Sequence, residues 1–451
     1  MFQFPCVIGL AGGGCRASPS GACWIMVPIL GALLLASAPV HAIPAFARQM
    51  GVECTTCHTV YPQLNAFGRE FKLTGYTESA GHVPWYKKLA LMTQPSLTRT
   101  ASDLADPPEH YGPNDNFAFT QTSLLFGGRI AGKFGGFVQT TYDAIGRVFS
   151  WDNTDLRFAD STSIAGKPLV YGIDVNNNPT VQDLWNSTPA WSFPFSSSGL
   201  ASTPAAATLI QDIGGQVGGL GAYGLWNELV YLELACYWAL GDNTLRALGV
   251  SPDDVGAKID GVAPYWRLAL QREWGPHYLS GGTFGMVADT YPSGERAAGT
   301  DRFTDAGLDL QYEYTGKRDN LDLRLAWLHE QQDLDASQRL GFATHGSNDL
   351  STFNGSVTYL YDKTWALTAG YSNLRGDADA AYYETDNGSP DSSWVTVQLD
   401  WLPFNKKGGP SLWPWFNPKI SAQYVAYSRF DGTSRGASDN DTLYLQAWLV
   451  F

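Results

Sequence analysis

Thr442-Leu443-Tyr444-Leu445-Gln446-Ala447-Trp448-Leu449-Val450-Phe451 is the stretch that decides the fold. Leu443, Leu445, Ala447, Leu449 and Phe451 form an unbroken apolar set, while the alternates Thr442, Tyr444, Gln446, Trp448 and Val450 are mixed. A period of two is the period of a strand, because successive side chains point to opposite faces. One wholly apolar face, one polar-tolerant face and a closing aromatic residue make the pattern of an outer-membrane β-barrel, apolar outside and polar inside.

The period recurs upstream. Leu308, Leu310, Tyr312 and Tyr314 alternate with Asp309, Gln311 and Glu313; Leu321, Leu323, Leu325 and Trp327 with Asp322 and Arg324; Val395, Val397, Leu399 and Trp401 with Thr396, Gln398 and Asp400. In a soluble sandwich the apolar faces would turn inward, but here the aromatics sit towards strand ends, as membrane girdles do. About sixteen strand-like segments fall between Lys88 and Phe451, an even number as bacterial barrels require. Short turns are expected at Ala131-Gly132-Lys133, Gly166-Lys167-Pro168, Trp226-Asn227-Glu228, Gly275-Pro276 and Asp362-Lys363. Long connections are expected at Asn176–Gly215, Gly241–Gly261, Gln332–Asp349 and Arg375–Asp391. This alternation matches short periplasmic turns and long outer loops, and an even count returns both ends to the periplasm.

Composition agrees. There are 48 glycines, 13% aromatic and only 16% charged residues, a mix that suits short strands, tight turns and girdles better than a helical enzyme. The net charge of -14 disfavours nucleic acid, whose phosphates need clustered positive charge, and favours attraction of cations. Cys23 to Ser37 is apolar and Val40-His41-Ala42 resembles a small-residue cleavage site, so residues 1–42 read as an export signal. The apolar run falls short of the ~20 residues of a membrane-spanning helix. Cys6, Cys15 and Cys23 belong to that leader. Cys54, Cys57 and Cys236 follow it, the last read as a lone residue on a strand.

Between leader and barrel, residues 43–87 contain Cys54-Thr55-Thr56-Cys57-His58. The C-x-x-C-H spacing reads as covalent attachment of one haem c, with Cys54 and Cys57 bonded to the vinyl groups and His58 an axial iron ligand. A structural Cys54–Cys57 disulfide is the plain alternative, disfavoured because His58 follows directly. Some forty residues are too few for an independent core, so the segment is expected to plug or cap the barrel from the periplasmic side. Pro62 to Phe71 reads as a short helix, with Leu64, Phe67 and Phe71 on one face against the haem. The sixth ligand is open: Met92 and His82 are the downstream candidates, and Met50 is too close to the motif to swing across the ring.

Ile43-Pro44-Ala45-Phe46-Ala47-Arg48-Gln49, the haem motif, Pro62, Leu64, Phe67-Gly68-Arg69 and Phe71-Lys72-Leu73-Thr74-Gly75-Tyr76 resemble the opening of the fused outer-membrane cytochrome–porins. The best-known members are the outer-membrane iron oxidases of iron-oxidising bacteria. Phe137 to Asp143, Asn176 to Asn186, Ala263-Pro264-Tyr265-Trp266-Arg267 and Ala437-Ser438-Asp439-Asn440 extend the resemblance through the barrel. Met50 departs from it, standing where a small polar residue is expected. The resemblance implies a one-haem plug in a barrel of about sixteen strands, and electron uptake from extracellular Fe(II) for delivery to a periplasmic cytochrome or other carrier.

Three functions follow as expectations. One is electron transfer from Fe(II), an oxidoreductase activity. Another is a transport porin with a structural haem, its water channel lined by Asp309, Glu313, Asp322, Arg324 and Asp400. The third is an outward electron conduit to an extracellular acceptor. Acidic outer-loop residues (Asp377, Asp379, Glu384, Asp386, Asp391, and Asp253 with Asp254) could attract ferrous ions, though a solvated loop needs no such role. His277, His329 and His345 read as turn, girdle or loop residues. No G-x-S-x-G, H-E-x-x-H or phosphate-binding loop occurs.

Overall fold

A computed structural model describes residues 45–187, 192–252, 257–405 and 416–451. The export signal expected over residues 1–42 lies outside the described residues. The strands are β1 (Leu89–Thr100), β2 (Asn116–Ala131), β3 (Phe134–Asp143), β4 (Val148–Ile164), β5 (Lys167–Asn176), β6 (Val217–Trp226), β7 (Val230–Ala239), β8 (Ala257–Ile259) and β9 (Ala263–Trp274). They continue as β10 (His277–Pro292), β11 (Asp301–Thr315), β12 (Asp319–Asp333), β13 (Ser347–Tyr361), β14 (Trp365–Gly376), β15 (Ser392–Trp401), β16 (Asn417–Arg429) and β17 (Thr442–Val450). β8 pairs with Thr290–Pro292 of β10 and β9 with His277–Met286, so the two are pieces of one wall position. Seventeen segments therefore make sixteen positions, each antiparallel to its neighbours, and β1 closes on β17 with Leu97 opposite Leu445. Closure leaves no unpaired edge, the condition for backbone to cross hydrocarbon.

The parity read from the sequence holds. Leu443 and Leu445 are 38% and 40% exposed, while Tyr444 and Gln446 are 1% and 4% exposed. Leu308, Leu310, Val395, Val397, Leu399 and Trp401 likewise face out, and Asp309, Gln311, Glu313, Thr396, Gln398 and Asp400 face in. In water each outward leucine would forgo roughly 1.5–3 kcal/mol of burial, a loss that a lipid surround removes. Register breaks where chemistry requires it. Pro95 has no N–H, and the β1–β2 pairing shifts between Gln94 and Pro95. The hairpin pairs Asn227-Glu228 and Asp362-Lys363 both have positive φ, the conformation that matches strand twist in two-residue turns.

The interior is not empty. At the short-turn end, α1 (Ala45–Met50) packs on β2: Arg129 N donates to Gln49 Oε1 at 2.9 Å, and Arg48 Nη2 donates to the Leu89 carbonyl at 2.6 Å. α2 (Ala66–Leu73) lies inside the mouth, with Tyr223 OH donating to the Leu73 carbonyl at 2.8 Å. From the opposite end the long connection after β5 folds inward through α3 (Pro179–Gln182) and buries Val181, Leu184 and Trp185. Trp185 Nε1 donates to Tyr278 OH at 2.8 Å, next to the short turn before β10, so this connection runs most of the length of the lumen.

Candidate functional site: the cavity at the C-x-x-C-H motif

The motif is shaped by its own backbone. Cys54–Thr56 forms a single 3-10 turn, and Cys57 N and His58 N both donate to the Cys54 carbonyl, at 3.1 and 3.0 Å. His58 then bridges to Leu64, bringing the chain back to α2. Asn65 ties the two together. Its Oδ1 caps α2 by accepting from Gly68 N at 3.0 Å, and its Nδ2 donates to the Thr55 and Thr56 carbonyls at 3.3 and 3.1 Å. Gly68 crosses the motif so closely that a Cβ there would overlap the Cys57 carbonyl and stand 3.0 Å from Leu64 Cδ2.

The barrel wall holds the other side. Asn417 Nδ2 on β16 donates to Cys54 Sγ at 2.8 Å. Lys419 Nζ donates to the Tyr61 carbonyl at 3.1 Å and sits 4.5 Å over the Trp448 ring. Cys54, Cys57 and His58 share a cavity of about 420 Å3 with Leu64, Gly68, Phe71, Met92, Leu125, Phe137 and Trp448. Its polar lining includes Gln121, Gln139, Asp152, Asn153 and Asn178, with Glu53 and Lys72 from the plug. The volume falls in the ~300–1,000 Å3 range of cofactor pockets, and the mix of mainly apolar walls with few polar groups is theirs too.

Protonation follows from burial. Desolvation pushes the Cys54 thiol up to about 11, and desolvation with the charges of Cys54 and Glu78 pushes Cys57 up to about 12. Desolvation pulls His58 down to about 4, leaving a neutral imidazole at neutral pH. Its Nδ1–H donates to the Pro62 carbonyl at 3.1 Å, because that oxygen can only accept. Nε2 therefore keeps its lone pair, the arrangement in which a second group orients a ligating imidazole.

Of the sequence candidates for the far side of the cavity, Met92 is buried and lines it, with Gln94 Nε2 3.7 Å from its sulfur. His82 is exposed and does not line it. The expected aromatic face needs correction. The helix begins after Asn65 rather than at Pro62, which turns Gly68, Phe71 and Lys72 to the cavity and leaves Phe67 37% exposed at the mouth.

The residues expected to line a channel do face the lumen, and each is paired there. Glu313 accepts from Arg69 Nη1 at 2.5 Å, Asp309 from Arg267 Nη2 at 2.7 Å and Asp322 from Arg324 Nε at 2.9 Å. Asp400 accepts from Gln398 and from Ser421 Oγ. These residues face the lumen, but plug and wall groups occupy them. Lys72 Nζ donates to the Val181 carbonyl and, at 3.0 Å, to the Asp183 carbonyl, joining α2 to the infolded connection. Sequence reasoning missed Arg69, Lys72, Asn417 and Lys419. The available signal was charge at inward parity on β16 and on the apolar side of a short helix.

Among the described outer acidic residues, Asp379 and Asp391 are engaged by protein groups. Asp379 is buried and accepts from the backbone N–H groups of Thr344, His345, Ala381 and Tyr382, while Asp391 pairs with Arg429 at 2.6 Å. Among the described residues no three His, Cys, Asp or Glu side chains could hold a metal ion. Asp253 and Asp254 lie outside the described residues.

Fold and site together define a porin-type barrel of sixteen strands, plugged by its own N-terminal segment. No family model matches the chain, and no curated protein matches it. Solved structures similar to it include OmpF of Salmonella typhi in complex with daunomycin, at 12% identity and a TM-score of 0.47 over 80% of this chain and 97% of that one. They also include the anion-selective porin from Comamonas acidovorans, at 10% identity and 0.44 over 80% and 98%. The outer membrane channel DcaP of Acinetobacter baumannii gives 11% identity and 0.44 over 80% and 96%.

Proposed function

We propose that the protein is an outer-membrane cytochrome–porin. In this reading it takes single electrons from extracellular Fe(II) and passes them through one haem c at the barrel mouth to a periplasmic carrier. The observation that carries this reading is the convergence of both Cys54 and Cys57 thiols, the His58 imidazole and the Met92 thioether on one cavity inside a closed barrel. The donor set fits the group. Two thiols can form thioethers, a neutral imidazole with a free Nε2 can ligate iron, and the Met92 thioether adds a second donor to the same cavity. Haem c bound there would supply a one-electron iron couple, with Cys54, Cys57 and His58 to hold it and Met92 as a further donor on the cavity wall. Asn65 and Gly68 hold the motif against α2, and Pro62 sets the His58 ring. Leu64, Phe71, Leu125 and Phe137 exclude water, while Gln121, Gln139 and Asn153 offer hydrogen bonds at a polar end. A porin channel is the second reading, which the sixteen-stranded barrel and its inward Asp309, Glu313, Asp322, Arg324 and Asp400 favour. Fe(II) as donor rests on the sequence resemblance.

The test is anaerobic stopped-flow mixing of the oxidised, full-length protein with ferrous ion. Reduction by one electron per chain is expected. Reduction by ascorbate but not by excess Fe(II) would remove Fe(II) as donor, and a strongly negative potential would reverse the direction of flow. Met92→Ala should shift the haem spectrum and lower the potential, while His82→Ala should change neither.

A further inference from the structure

The inner wall opposite α2 holds more negative charge than its neighbours offset. Asp155, Asp174, Glu233, Asp183 and Asp309 are all buried there, and the cations among them are Lys72, Arg157 and Arg267. Asp155 is taken by Arg157 at 2.9 Å with Lys72 at 3.9 Å, while Asp183 and Asp309 share Arg267 at 3.4 and 2.7 Å. Five carboxylates against three cations leave an excess of two, and the two without an ion pair within 4 Å among the described residues are Asp174 and Glu233. Both are fully buried. An uncompensated charge in such a place costs several kcal/mol, so something neutralises it.

The register shows where. Asp174 on β5 stands opposite Gly221, Gly221 opposite Ala235, and Ala235 opposite Tyr265 on β9, so two small residues separate the polar ends of one rung. Glu233 and Tyr237 flank Ala235 on the inward face of β7. The Asp174 carboxylate lies over bare Gly221, and a Cβ there would collide with it. Asp174 Oδ2, Glu233 Oε1 and Gln182 Oε1 are buried, and each lacks a hydrogen-bond partner among the described residues, while the buried hydroxyls of Tyr237 and Tyr265 stand beside the Asn176 and Gln182 side chains. Protons on the two carboxyls would cancel the charge but leave the Gln182 oxygen unanswered. One hard divalent cation cancels the excess of two and engages several oxygens at once.

We infer that Asp174 and Glu233, completed by neutral oxygens from Gln182, Tyr237 and Tyr265, form a buried site for a hard divalent cation in the barrel wall. The site lies behind the plug: Tyr76, which lines the motif cavity, donates through its hydroxyl to Asp155 at 2.5 Å. It does not depend on the cavity holding a haem.

Manganese(II) serves as the probe. Full-length protein in detergent is equilibrated with Mn2+ and desalted, and retained metal is read by electron paramagnetic resonance and elemental analysis. About one Mn2+ per chain is expected, with Glu233→Gln and Asp174→Asn weakening retention at least ~tenfold and Asp391→Asn, on an outer loop, leaving it unchanged. Terbium(III) on the unaltered protein gives a readout free of folding effects. Tyr237 and Tyr265 should sensitise its emission, and Mn2+ should quench it by displacement. No retained Mn2+ and no sensitised emission, or equal retention in all variants, would overturn the site and leave protons or a water as the neutralising group.

Discussion

Replacing Arg69 by Met removes the cation that fastens the plug to the wall. Arg69 is 3% exposed, donates through Nη1 to Glu313 Oε1 at 2.5 Å and to the Leu64 carbonyl at 3.0 Å, and lies 4.0 Å over the Tyr278 ring. Glu313 is 4% exposed and would keep only the Gln311 amide as donor. Stranding a buried charge by deleting its partner costs about 3–5 kcal/mol. At about 1.4 kcal/mol per decade, the undocked plug should become more populated by roughly a hundred- to several-thousand-fold. Two assays read this on full-length protein: the rate of proteolysis within α2, and single-channel conductance in planar bilayers. The unaltered protein should resist cleavage and conduct little, and Arg69→Met should be cut faster and show openings. Adding Glu313→Gln removes the stranded charge and should recover much of the loss. If Arg69→Met matches the unaltered protein in both assays, or if the second change brings no recovery, the plug is not held by this pair.

Three further outcomes follow from the geometry. Gly68→Ala drives a Cβ into the Cys57 carbonyl, so covalent haem per chain should fall by at least about half as the motif is displaced, read by haemochrome absorbance. Asp379 is held down to about 2 by backbone N–H groups at the outer loop, despite its burial. Because its folded value lies below the ordinary 3.8, its stabilisation of about 2 kcal/mol is complete above pH ~4 and is lost as pH falls towards 2. Proteolysis of the 377–391 loop should therefore rise over that window, and Asp379→Asn should abolish the dependence. Leu445→Arg puts a charge on the lipid face and should destabilise the barrel by roughly 2–4 kcal/mol in urea titrations in vesicles if it lies near the bilayer midplane.

The barrel was legible because its signal is repeated. A one-residue shift would move Leu443 and Leu445 inward and Tyr444 and Gln446 outward, so alternation alone sets the facing of β17, and the same holds for β11 and β15. Hairpins were legible where short polar pairs such as Asp362-Lys363 interrupt two such runs. What the chain does inside the barrel was less legible. Leu64, Phe67 and Phe71 have helical spacing, but spacing does not say where a helix starts. The Asn65 cap fixes that start and turns Phe67 outward. The long connection after β5 shows no sign in its composition that it folds inward. Lys72, Asp183 and Trp185 find their partners only in three dimensions, at sequence separations of a hundred residues or so. Asn417 meets Cys54 across 363 residues, a contact set by closure of the barrel. The Asp174–Glu233 pair is invisible in sequence for the same reason: it is made by register across β6.

The proposed function requires one haem held by Cys54, Cys57 and His58 in the plugged mouth of the barrel. It is tested most directly on full-length protein purified from membranes, by pyridine haemochrome absorbance together with the mass of the Cys54–Cys57 peptide. One covalent haem c per chain is expected, bonded through both sulfurs, with its loss in Cys54→Ala/Cys57→Ala protein that still folds as a barrel. A chain that carries no covalent haem, or a peptide in which Cys54 and Cys57 are joined as a disulfide, would contradict it.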